Sequence, residues 1–436
     1  MNIVLLSGGS GKRLWPLSND VRSKQFIKIF KNDNQYESMV QRVYRQIKAV
    51  DPDATVTIAT SKSQVSAIHN QVGLDVGISV EPCRRDTFPA IALAVAYLHD
   101  VKHVPADESV VICPVDPFVD ASYFQCIGNL YEAAQIGKEK LVLMGIEPTY
   151  PSEKYGYIKP TQNPDGTWGF TFTEKPTEEK AKEYITAGAL WNGGVFAFKL
   201  SYVLDKSKEL LGTSDYQELF DNYADLKKIS FDYAVVEQET SIEVLRYSGT
   251  WKDIGTWNAL ADAMEENVVG NGTIGEGENV HVVNELDIPV LAMGLKDVVI
   301  AASPDGILVS SEAAADRIKP YVDHIDQQIR YAEKSWGSYQ VIDVEDESIS
   351  IKVTLNPGNK MNYHSHERRN EIWNIISGSG KAIVDGVEQI IGPGDVIRMQ
   401  AGQKHMVVAG DDKLQLIEVQ LGRDITVADK KKYESP

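Results

Sequence analysis

Short apolar runs alternate with amphipathic stretches along the first third of the chain. Apolar runs at residues 3–6, 55–59, 110–113 and 141–145 predict buried strands. Segments with helical spacing of their apolar positions occur at 38–50, 87–98 and 123–135. This alternation predicts a largely parallel sheet with helices on both faces, whose functional edge lies beyond the carboxyl ends of the strands.

The pattern changes after residue 155. Three segments, at 157–159, 169–173 and 194–198, predict strands of a mixed extension of the sheet. Helical spacing returns at 177–184 and 202–211, and a last helix is predicted from about residue 256 to shortly before Gly270.

Two β-rich regions follow. Residues 268–325 hold short apolar pieces between Gly, Asn and Asp turns and predict a small, β-helix-like connector, and residues 326–345 predict a short helical linker. Strands near 348–355, 372–377, 381–384, 395–399 and 415–420 predict a small β-barrel or jelly roll. The charged residues 429–436 predict a frayed end.

Composition and charge narrow the range of partners. The 436 residues carry a formal net charge of −18, which disfavours nucleic acid and anionic membranes because both require a basic face. The three cysteines lack metal-binding spacing and predict buried thiols in a reducing compartment. The N-terminus lacks a signal-peptide pattern, and no apolar stretch approaches the roughly 20 residues of a membrane span. We therefore expect a cytoplasmic protein.

A glycine-rich loop follows the first predicted strand, where residues 7–14 read SGGSGKRL. Its glycines allow backbone amides to approach anionic oxygens, and Arg13 adds a bidentate phosphate partner. The spacing is neither GxGxxG nor that of the P-loop. By itself the loop is explained equally well as a simple turn.

The longer string points to one family. GGSGKRLWPLS at 8–18, followed by KQF at 24–26, resembles the signature of nucleotidylyltransferases that make nucleotide sugars, most closely the mannose-1-phosphate guanylyltransferase branch. Ser23 stands where this family usually has Pro, and Asp86 where it usually has Asn. The resemblance covers about residues 1–325 and implies a Rossmann-like, GT-A-like domain. It implies nucleotide binding by Leu6, Gly8, Gly9, Gly11, Arg13, Glu81, Asp86 and Pro114.

Two acidic residues in the family motifs imply a metal site. Asp116 ends the PVD motif after a predicted strand, and Asp253 lies in WKDIGTW before a predicted helix. By resemblance both hold Mg²⁺, which prefers carboxylates together with phosphate oxygens. Outside these motifs each aspartate would be interpreted as a turn or capping residue.

The resemblance also implies a sugar-phosphate site within the motifs YGYI, FTEKP, WNGG and SFDYA. The implied residues are Gly156, Glu174, Lys175, Asn192 and Asp232. A carboxylate accepts hydrogen bonds from sugar hydroxyls and an ammonium is a compact phosphate partner, so these residue types suit the implied roles.

The implied reaction is an in-line displacement. Mannose 1-phosphate attacks the α-phosphorus of GTP, pyrophosphate leaves and GDP-mannose forms. Mg²⁺, Arg13, Lys24 and Lys175 would act by positioning and charge neutralisation. The alternatives are a transferase for another base or sugar, such as CTP or UTP with another hexose or heptose 1-phosphate, and a sugar-nucleotide sensor without activity.

The C-terminal strands carry a second set of motifs. Gly358, HSH at 364–366, Glu371 and Gly378, with GQKH at 402–405, resemble the two motifs of the cupin family. His364 and His366 alternate on one strand and so face the same side. With Glu371 and His405 they form a candidate site for Zn²⁺ or another divalent metal.

The order of the two parts resembles bifunctional phosphomannose isomerase/guanylyltransferases. The C-terminal part is therefore either an added isomerase or a structural or dimerising unit. We predict an α/β nucleotidyltransferase domain at 1–267, a small β-rich connector at 268–325 and a cupin-like β-barrel domain at 326–436. We expect a homodimer, with GTP and mannose 1-phosphate as its small-molecule partners.

Overall fold

The computed structural model describes residues 1–9, 12–19, 21–162, 168–325, 329–423, 425–426 and 429–436. Gly11, one of the predicted nucleotide-binding glycines, lies outside the described residues.

The N-terminal part alternates strands and helices as the sequence pattern predicts. Its strands are β1 (Asn2–Ser7), β2 (Lys28–Asn32), β3 (Gln35–Ser38), β4 (Thr55–Ser61), β5 (Gly77–Glu81), β6 (Ser109–Pro114), β7 (Pro117–Val119), β8 (Leu141–Ile146), β9 (Tyr157–Gln162), β10 (Trp168–Thr173), β11 (Leu190–Lys199), β12 (Ile242–Tyr247) and β13 (Trp251–Asp253). Its helices are α1 (Met39–Val50), α2 (Val65–Val72), α3 (Thr87–Ala96), α4 (Ala121–Ile136), α5 (Glu178–Thr186), α6 (Leu200–Leu211), α7 (Tyr216–Asp221), α8 (Phe231–Ala234) and α9 (Trp257–Ala261).

One large sheet organises this part, with strand order β10-β9-β11-β6-β1-β4-β5 and with β8 and β12 joined to β11. β1 is parallel to β4 and β6, and β4 is parallel to β5, which confirms the predicted parallel core. β11 runs antiparallel to β6, β8 and β9, and β10 is antiparallel to β9, so the predicted mixed extension is also confirmed.

Local sequence explains two of the helices. Ser38 caps α1 in a capping box with Gln41, and the apolar positions of α1 face the core. α3 is apolar on all sides, and every residue from Phe88 to Ala96 is buried. It is therefore covered on both sides, by the sheet and by other helices.

The last predicted helix of this part is much shorter than expected. α9 spans five residues, with Trp257 fully buried and its indole Nε1 donating to the Trp15 carbonyl at 3.1 Å. The apolar residues after α9 serve the next region instead, because Val268 and Val269 lie in a strand of the connector. The predicted helix was too long because apolar residues of the strand β14 were included in it.

The connector consists of β14 (Val268–Gly270), β15 (Gly272–Gly275), β16 (Glu278–Asn284), β17 (Val290–Met293), β18 (Lys296–Ser303) and β19 (Gly306–Ser311), followed by α10 (Lys319–Val322). β14, β16 and β18 stack in parallel register, as do β15 and β17. Two parallel rows formed by successive turns of the chain are the arrangement of a β-helix. Asn284 supports one turn by donating to the carbonyls of Asn271 and Ile288 at 2.8 and 2.7 Å.

The C-terminal strands are β20 (Tyr331–Lys334), β21 (Gly337–Glu345), β22 (Ser348–Leu355), β23 (His364–His366), β24 (Arg369–Ser377), β25 (Gly380–Val384), β26 (Val387–Ile391), β27 (Val396–Met399), β28 (His405–Ala409), β29 (Leu414–Gly422) and β30 (Lys430–Lys432). Among the described residues they form a six-stranded and a five-stranded sheet rather than one closed barrel. Side chains of both sheets share one core that includes Leu355, Trp373 and Val407. Of the two predicted forms, a β-barrel and a jelly roll, the two facing sheets correspond to the jelly roll.

Two predictions for this part were wrong. Within 329–345 the chain forms the β20–β21 hairpin instead of a helical linker. The charged tail is not frayed, because β30 pairs with β23. A strand made of charged residues cannot be predicted from its own sequence when the strand with which it pairs lies far away along the chain.

No helix in the described part of the chain combines the length and apolar character needed to cross a membrane.

Candidate active site

The glycine-rich loop is held by a buried polar network at the carboxyl edge of the sheet. The Gln25 amide donates to the Ser7 hydroxyl at 3.0 Å. The Gln64 amide donates to Ser23 Oγ at 2.5 Å, and Ser23 Oγ donates to the Gly9 carbonyl at 3.3 Å. Ser23, which replaces the usual proline, thereby helps to hold the loop, and Gly9 supplies the φ of +121° that the turn requires.

Sequence reasoning missed Gln64. Its amide oxygen accepts a hydrogen bond from Thr60 Oγ1 at 2.7 Å, and both residues are buried. The only signal available was position, because these polar residues lie at and just beyond the carboxyl end of β4.

A cleft of about 570 Å³ opens beside this loop. The structure brings six predicted nucleotide-binding residues to its walls: Leu6, Gly8, Gly9, Glu81, Asp86 and Pro114. The cations Lys62, Arg84 and Lys228 also line it and were not identified from the sequence. The cleft therefore carries three cations beside three carboxylates, Glu81, Asp86 and Asp116, so that cationic partners for a polyanion are present in a chain of strongly negative net charge. Arg13 is not among the lining residues; it is exposed.

Two of the three acidic residues that line the cleft, Glu81 and Asp86, lie in different local environments. Burial raises the pKa of Glu81, whose carboxylate accepts a hydrogen bond from the Tyr223 hydroxyl at 2.9 Å. Asp86 has a left-handed φ of +71° and accepts from the Thr87 amide at 2.8 Å, capping α3. Asp86 thus has a structural role at the helix start while it faces the cleft.

Asp116 and Asp253 are brought together by a short antiparallel ladder. β13 pairs with β7 so that Asp253 lies opposite Pro117, the residue after Asp116. Lys24 Nζ lies 2.8 Å from Asp116 Oδ2 and 3.8 Å from Asp253 Oδ1, and donates to the Ile254 carbonyl at 3.0 Å. Burial raises the pKa of Asp253, an effect that the charge of Lys24 opposes. The two carboxylates therefore converge on one cationic position.

The predicted sugar-phosphate residues also converge. The Asn192 amide donates to Asp232 Oδ1 at 2.6 Å, and the Asn192 backbone donates to the Gly156 carbonyl at 2.8 Å. A Cβ at position 156 would lie 2.5 Å both from a Glu174 carboxylate oxygen and from the Phe172 ring, so a residue other than glycine would displace one of these side chains. Glu174 forms an ion pair of 2.8 Å with Lys175. All five predicted residues therefore belong to one cluster.

Neighbouring charges and burial shift the pKa values of two residues in this cluster. Burial, and then the charge of Glu174, raise the pKa of Asp232 to about 6. The hydrogen bond to Glu174 raises the pKa of Lys175. The cluster therefore combines an exposed cation with two carboxylates that can accept hydrogen bonds from hydroxyl groups.

Aromatic packing connects the metal-binding candidates with the sugar cluster. Trp251, on the same strand as Asp253, packs against Tyr155 with ring centroids 5.2 Å apart. Tyr155 precedes Gly156 and also contacts Trp191, which precedes Asn192, at 5.0 Å. Rigid rings thus fix the sugar cluster relative to Asp116 and Asp253.

The second candidate centre lies between the C-terminal sheets. His364, His366, Glu371 and His405 are all buried, and one potential ligand atom of each lies within 4.8 Å of the others. Nδ1 of His364, His366 and His405 lies 2.6, 3.2 and 3.0 Å from a backbone carbonyl. This contact places the proton on Nδ1 and leaves the Nε2 lone pair as an acceptor, which faces the Arg369 guanidinium in His366 and can take a metal in His364 and His405.

The polar atoms of this centre fit a cation. Glu371 Oε2 and His405 Nε2 are buried, lie 3.2 Å from each other and have no other hydrogen-bond partner in the described chain. Burial lowers the pKa of His364 to about 2 and that of His366 to about 4, so both are neutral and able to ligate. Arg369 donates to Glu371 at 2.9 Å and lies 3.0 Å from His366 Nε2.

Comparison with known proteins identifies the families of the two parts. Residues 2–268 match the nucleotidyl transferase family, which is more than half of the chain. The chain belongs to this family. Residues 351–420 match the cupin domain.

Similar proteins cover the nucleotidyl transferase and cupin parts together. A Vibrio cholerae protein, provisionally named as a mannose-1-phosphate guanylyltransferase, is 30% identical over 99% of both chains. The mannose-1-phosphate guanylyltransferase of Escherichia coli K12 is 28% identical over 96% of this chain and 95% of its own. The crystal structure of a Thermus thermophilus protein described as a mannose-1-phosphate geranyltransferase has a TM-score of 0.62 and 27% identity, and covers 74% of this chain and 98% of its own.

Proposed function

We propose that this nucleotidyl transferase joins GTP and mannose 1-phosphate to give GDP-mannose and pyrophosphate. The observation that carries the proposal is the placement of Lys24, Asp116 and Asp253 between the loop-lined cleft and the sugar cluster. The names of similar proteins support the choice of base and sugar.

The residues have distinct roles in the proposed reaction. The amides of Gly8 and Gly9 hold the triphosphate, and Arg13 and Lys24 neutralise its charge. Asn192, Asp232 and Glu174 orient the sugar hydroxyls. Lys175 holds the sugar phosphate so that its oxygen faces the α-phosphorus, and the effective concentration of the nucleophile rises accordingly.

Asp116 and Asp253 fit a magnesium ion. Their oxygens already converge on the Lys24 ammonium, and they are about 40% exposed, so phosphate oxygens can complete the coordination. When bound, Mg²⁺ would supply charge neutralisation at the α-phosphate. The protein holds the two carboxylates beside each other through the β7–β13 ladder.

The first experiment is pyrophosphate release with Mg²⁺ across a matrix of nucleoside triphosphates and sugar 1-phosphates. We expect a dominant signal with GTP and mannose 1-phosphate, and its loss in Arg13→Ala with the fold intact. A dominant signal with CTP or UTP would show that the protein selects another base, and Asp86 and its neighbours would then be the residues that select it. Absence of any signal from the folded protein would favour the sensor alternative.

A second candidate activity concerns the cupin part. The convergence of His364, His366, Glu371 and His405 beside a cavity favours a metal-dependent isomerase over a purely structural unit. Conversion of mannose 6-phosphate to fructose 6-phosphate by the Zn²⁺-loaded protein tests it, and no conversion would leave the structural or dimerising role.

The proposal includes the division of the chain at residues 267 and 325, a homodimer and a cytoplasmic location. Limited proteolysis and light scattering test the first two directly.

A further inference from the structure

A third positive charge acts on the proposed magnesium site. Burial raises the pKa of Asp253; among the charges that oppose this effect, Lys24 is the strongest, followed by Arg13 and Lys154. Lys24 and Arg13 belong to the N-terminal motif, whereas Lys154 lies in the connection between β8 and β9 and was not identified from the sequence. Positive charge therefore reaches Asp253 from the side of the sugar cluster as well.

The backbone around Lys154 is held in place by hydrogen bonds. The Tyr157 hydroxyl accepts from the Ser152 amide at 2.9 Å and donates to the Ser152 carbonyl at 3.1 Å. The Glu153 carboxylate accepts from the Glu178 amide at 3.1 Å, and the Lys154 amide donates to Ser152 Oγ at 3.1 Å. The residues before Lys154 are thereby tied to β9 and α5, so the point from which its side chain extends is fixed.

Tyr155 places this segment between the proposed magnesium site and the sugar cluster. Its ring packs against Trp251, on the strand of Asp253, with centroids 5.2 Å apart. Its carbonyl accepts a hydrogen bond from the Lys175 amide at 3.3 Å. Because Lys154 directly precedes Tyr155, it lies next to the residue that joins Asp253 to Lys175.

The Lys154 ammonium is available to a ligand. Among the described residues it has neither an ion pair nor a side-chain hydrogen bond, and the side chain is exposed. Lys154 is not one of the residues that line the nucleotide cleft, and Gly156 of the sugar cluster follows two positions later. A cation beside a metal site is repelled by the metal and attracted by the anion that binds there. On the sugar side of the site, that anion is the phosphate of the sugar 1-phosphate.

We propose that Lys154 binds the phosphate of the sugar 1-phosphate together with Lys175, so that two ammonium groups hold the attacking group beside the α-phosphate. This inference rests on the transfer reaction proposed above. In that reaction an oxygen of the sugar phosphate forms a bond to the α-phosphorus, the bond from this phosphorus to the bridging oxygen breaks, and pyrophosphate leaves with the electron pair. Lys154 keeps its proton throughout and reduces the repulsion between the two phosphate groups.

The test uses three variants of the full-length protein. Lys154→Met removes the ammonium and keeps a long side chain, and Lys154→Arg keeps the charge. Lys159→Met is the matched control, since Lys159 lies in the adjoining strand β9 and its ammonium lies over the Tyr184 ring at 4.4 Å. Circular dichroism and the thermal midpoint establish that each variant is folded.

Two properties of Lys154→Met should change in opposite directions. The KM for mannose 1-phosphate should rise about tenfold while the KM for GTP stays within about twofold, because one charge-assisted hydrogen bond to the sugar phosphate is lost. The affinity for Mn²⁺ without nucleotide or sugar phosphate, measured by electron paramagnetic resonance, should increase about threefold because a nearby positive charge is removed. Lys159→Met should match the wild type in both properties, and Lys154→Arg should restore most of both.

Each property can overturn the proposal. An unchanged KM for mannose 1-phosphate in Lys154→Met, or an equal rise in Lys154→Met and Lys154→Arg, would exclude a contact between the Lys154 charge and the sugar phosphate. An unchanged Mn²⁺ affinity would exclude the position of Lys154 beside Asp253.

Failure of the proposed function gives a different result, because the Mn²⁺ comparison requires no turnover. If the wild type uses another sugar 1-phosphate, the KM for that compound replaces the KM for mannose 1-phosphate. If the wild type releases no pyrophosphate with any pair, the proposed function fails, and the Mn²⁺ comparison alone decides whether Lys154 lies at the site.

Discussion

The two candidate cation centres of this protein are built in opposite ways. In the transferase domain, the side chains of Asp116 and Asp253 are 39% and 44% exposed, and Lys24 lies between them. In the cupin part, His366, Glu371 and His405 are 1–2% exposed, and Glu371 Oε2 and His405 Nε2 lie 3.2 Å apart with no other hydrogen-bond partner among the described residues.

The difference follows from what each centre has to do. An open pair of carboxylates, balanced by the Lys24 ammonium, tolerates the absence of metal and admits a substrate that brings its own phosphate ligands. A buried cluster of three histidines and a glutamate, in which acceptor atoms of Glu371 and His405 face each other, is stabilised by a bound cation. We therefore expect the first centre to exchange metal readily and the second to retain it.

The largest expected effect is at the open centre. Asp116→Asn should lower pyrophosphate release by about 10³-fold, because one preorganised ligand of the transition-state charge is lost. Steady-state kinetics at saturating GTP measure it. Asp107→Asn is the matched control, since Asp107 precedes the other end of the same strand, β6, and is exposed. Activity within tenfold of the wild type in Asp116→Asn would remove this residue from the mechanism.

A substitution in the buried cupin centre should change the metal content of the protein rather than the rate of nucleotidyl transfer. His405→Ala should reduce affinity for the bound divalent metal by about 100-fold, while nucleotidyl transfer stays within about twofold. Metal analysis by mass spectrometry after gel filtration measures it, with the exposed His103→Ala as control. A wild-type protein that purifies without stoichiometric metal, and takes up none on addition of Zn²⁺, would contradict the contrast between the two centres.

A moderate effect is expected where the sugar phosphate is held. Lys175→Met should raise the KM for the sugar 1-phosphate by about 10- to 100-fold, because one charge-assisted hydrogen bond is lost. Lys182→Met is the control, since Lys182 is also exposed and paired with a glutamate, Glu178, at 2.7 Å. Equal KM values in the two variants would show that Lys175 does not contact the substrate.

The smallest effect is a pH dependence of the sugar cluster. The pKa of Asp232 is raised from 3.8 to about 6, mainly by burial. Below about pH 6 its carboxylate takes up a proton and loses acceptor capacity, so kcat/KM for the sugar phosphate should fall about tenfold per unit. The same profile in Asp232→Asn isolates the titration of the substrate's own phosphate; an identical inflection in both proteins would contradict the assignment.

Protonation of Asp232, which should lower activity, should increase the stability of the fold. A raised folded-state pKa means that protonation of Asp232 stabilises the fold below about pH 4, and that this contribution is lost as the pH rises through about 6. Asp232→Asn, which cannot ionise, should therefore gain about 1–3 kcal/mol relative to the wild type between pH 4 and pH 8. Urea unfolding at the two pH values measures this difference.

Much of the fold could be predicted because local patterns agreed with the final structure. The buried runs that became β1, β4, β6 and β8 are apolar and short, and Ser38 marks the start of α1 by its capping box. Of the predictions that failed, only the one at residues 429–436 concerns a segment whose pairing partner, β23, lies far away in sequence. At 256–270 and 329–345 the partner strands are close along the chain, and strand residues were assigned to helices. A strand of three lysines such as β30 has no local signal, because only its hydrogen bonds to β23 define it.

The sequence by itself determined the chemistry available to this protein: the glycine loop, the carboxylates of the PVD and WKD motifs, the EKP lysine and the histidines of the cupin motifs. Only the tertiary structure decided which of these groups meet. The β7–β13 ladder brings Asp253 to Asp116, Asn192 meets Asp232 across 40 residues, and β30 turns two lysines toward the histidine cluster. Distances between groups remote in sequence depend on the packing of sheets and loops, whereas side-chain chemistry is a property of each residue alone.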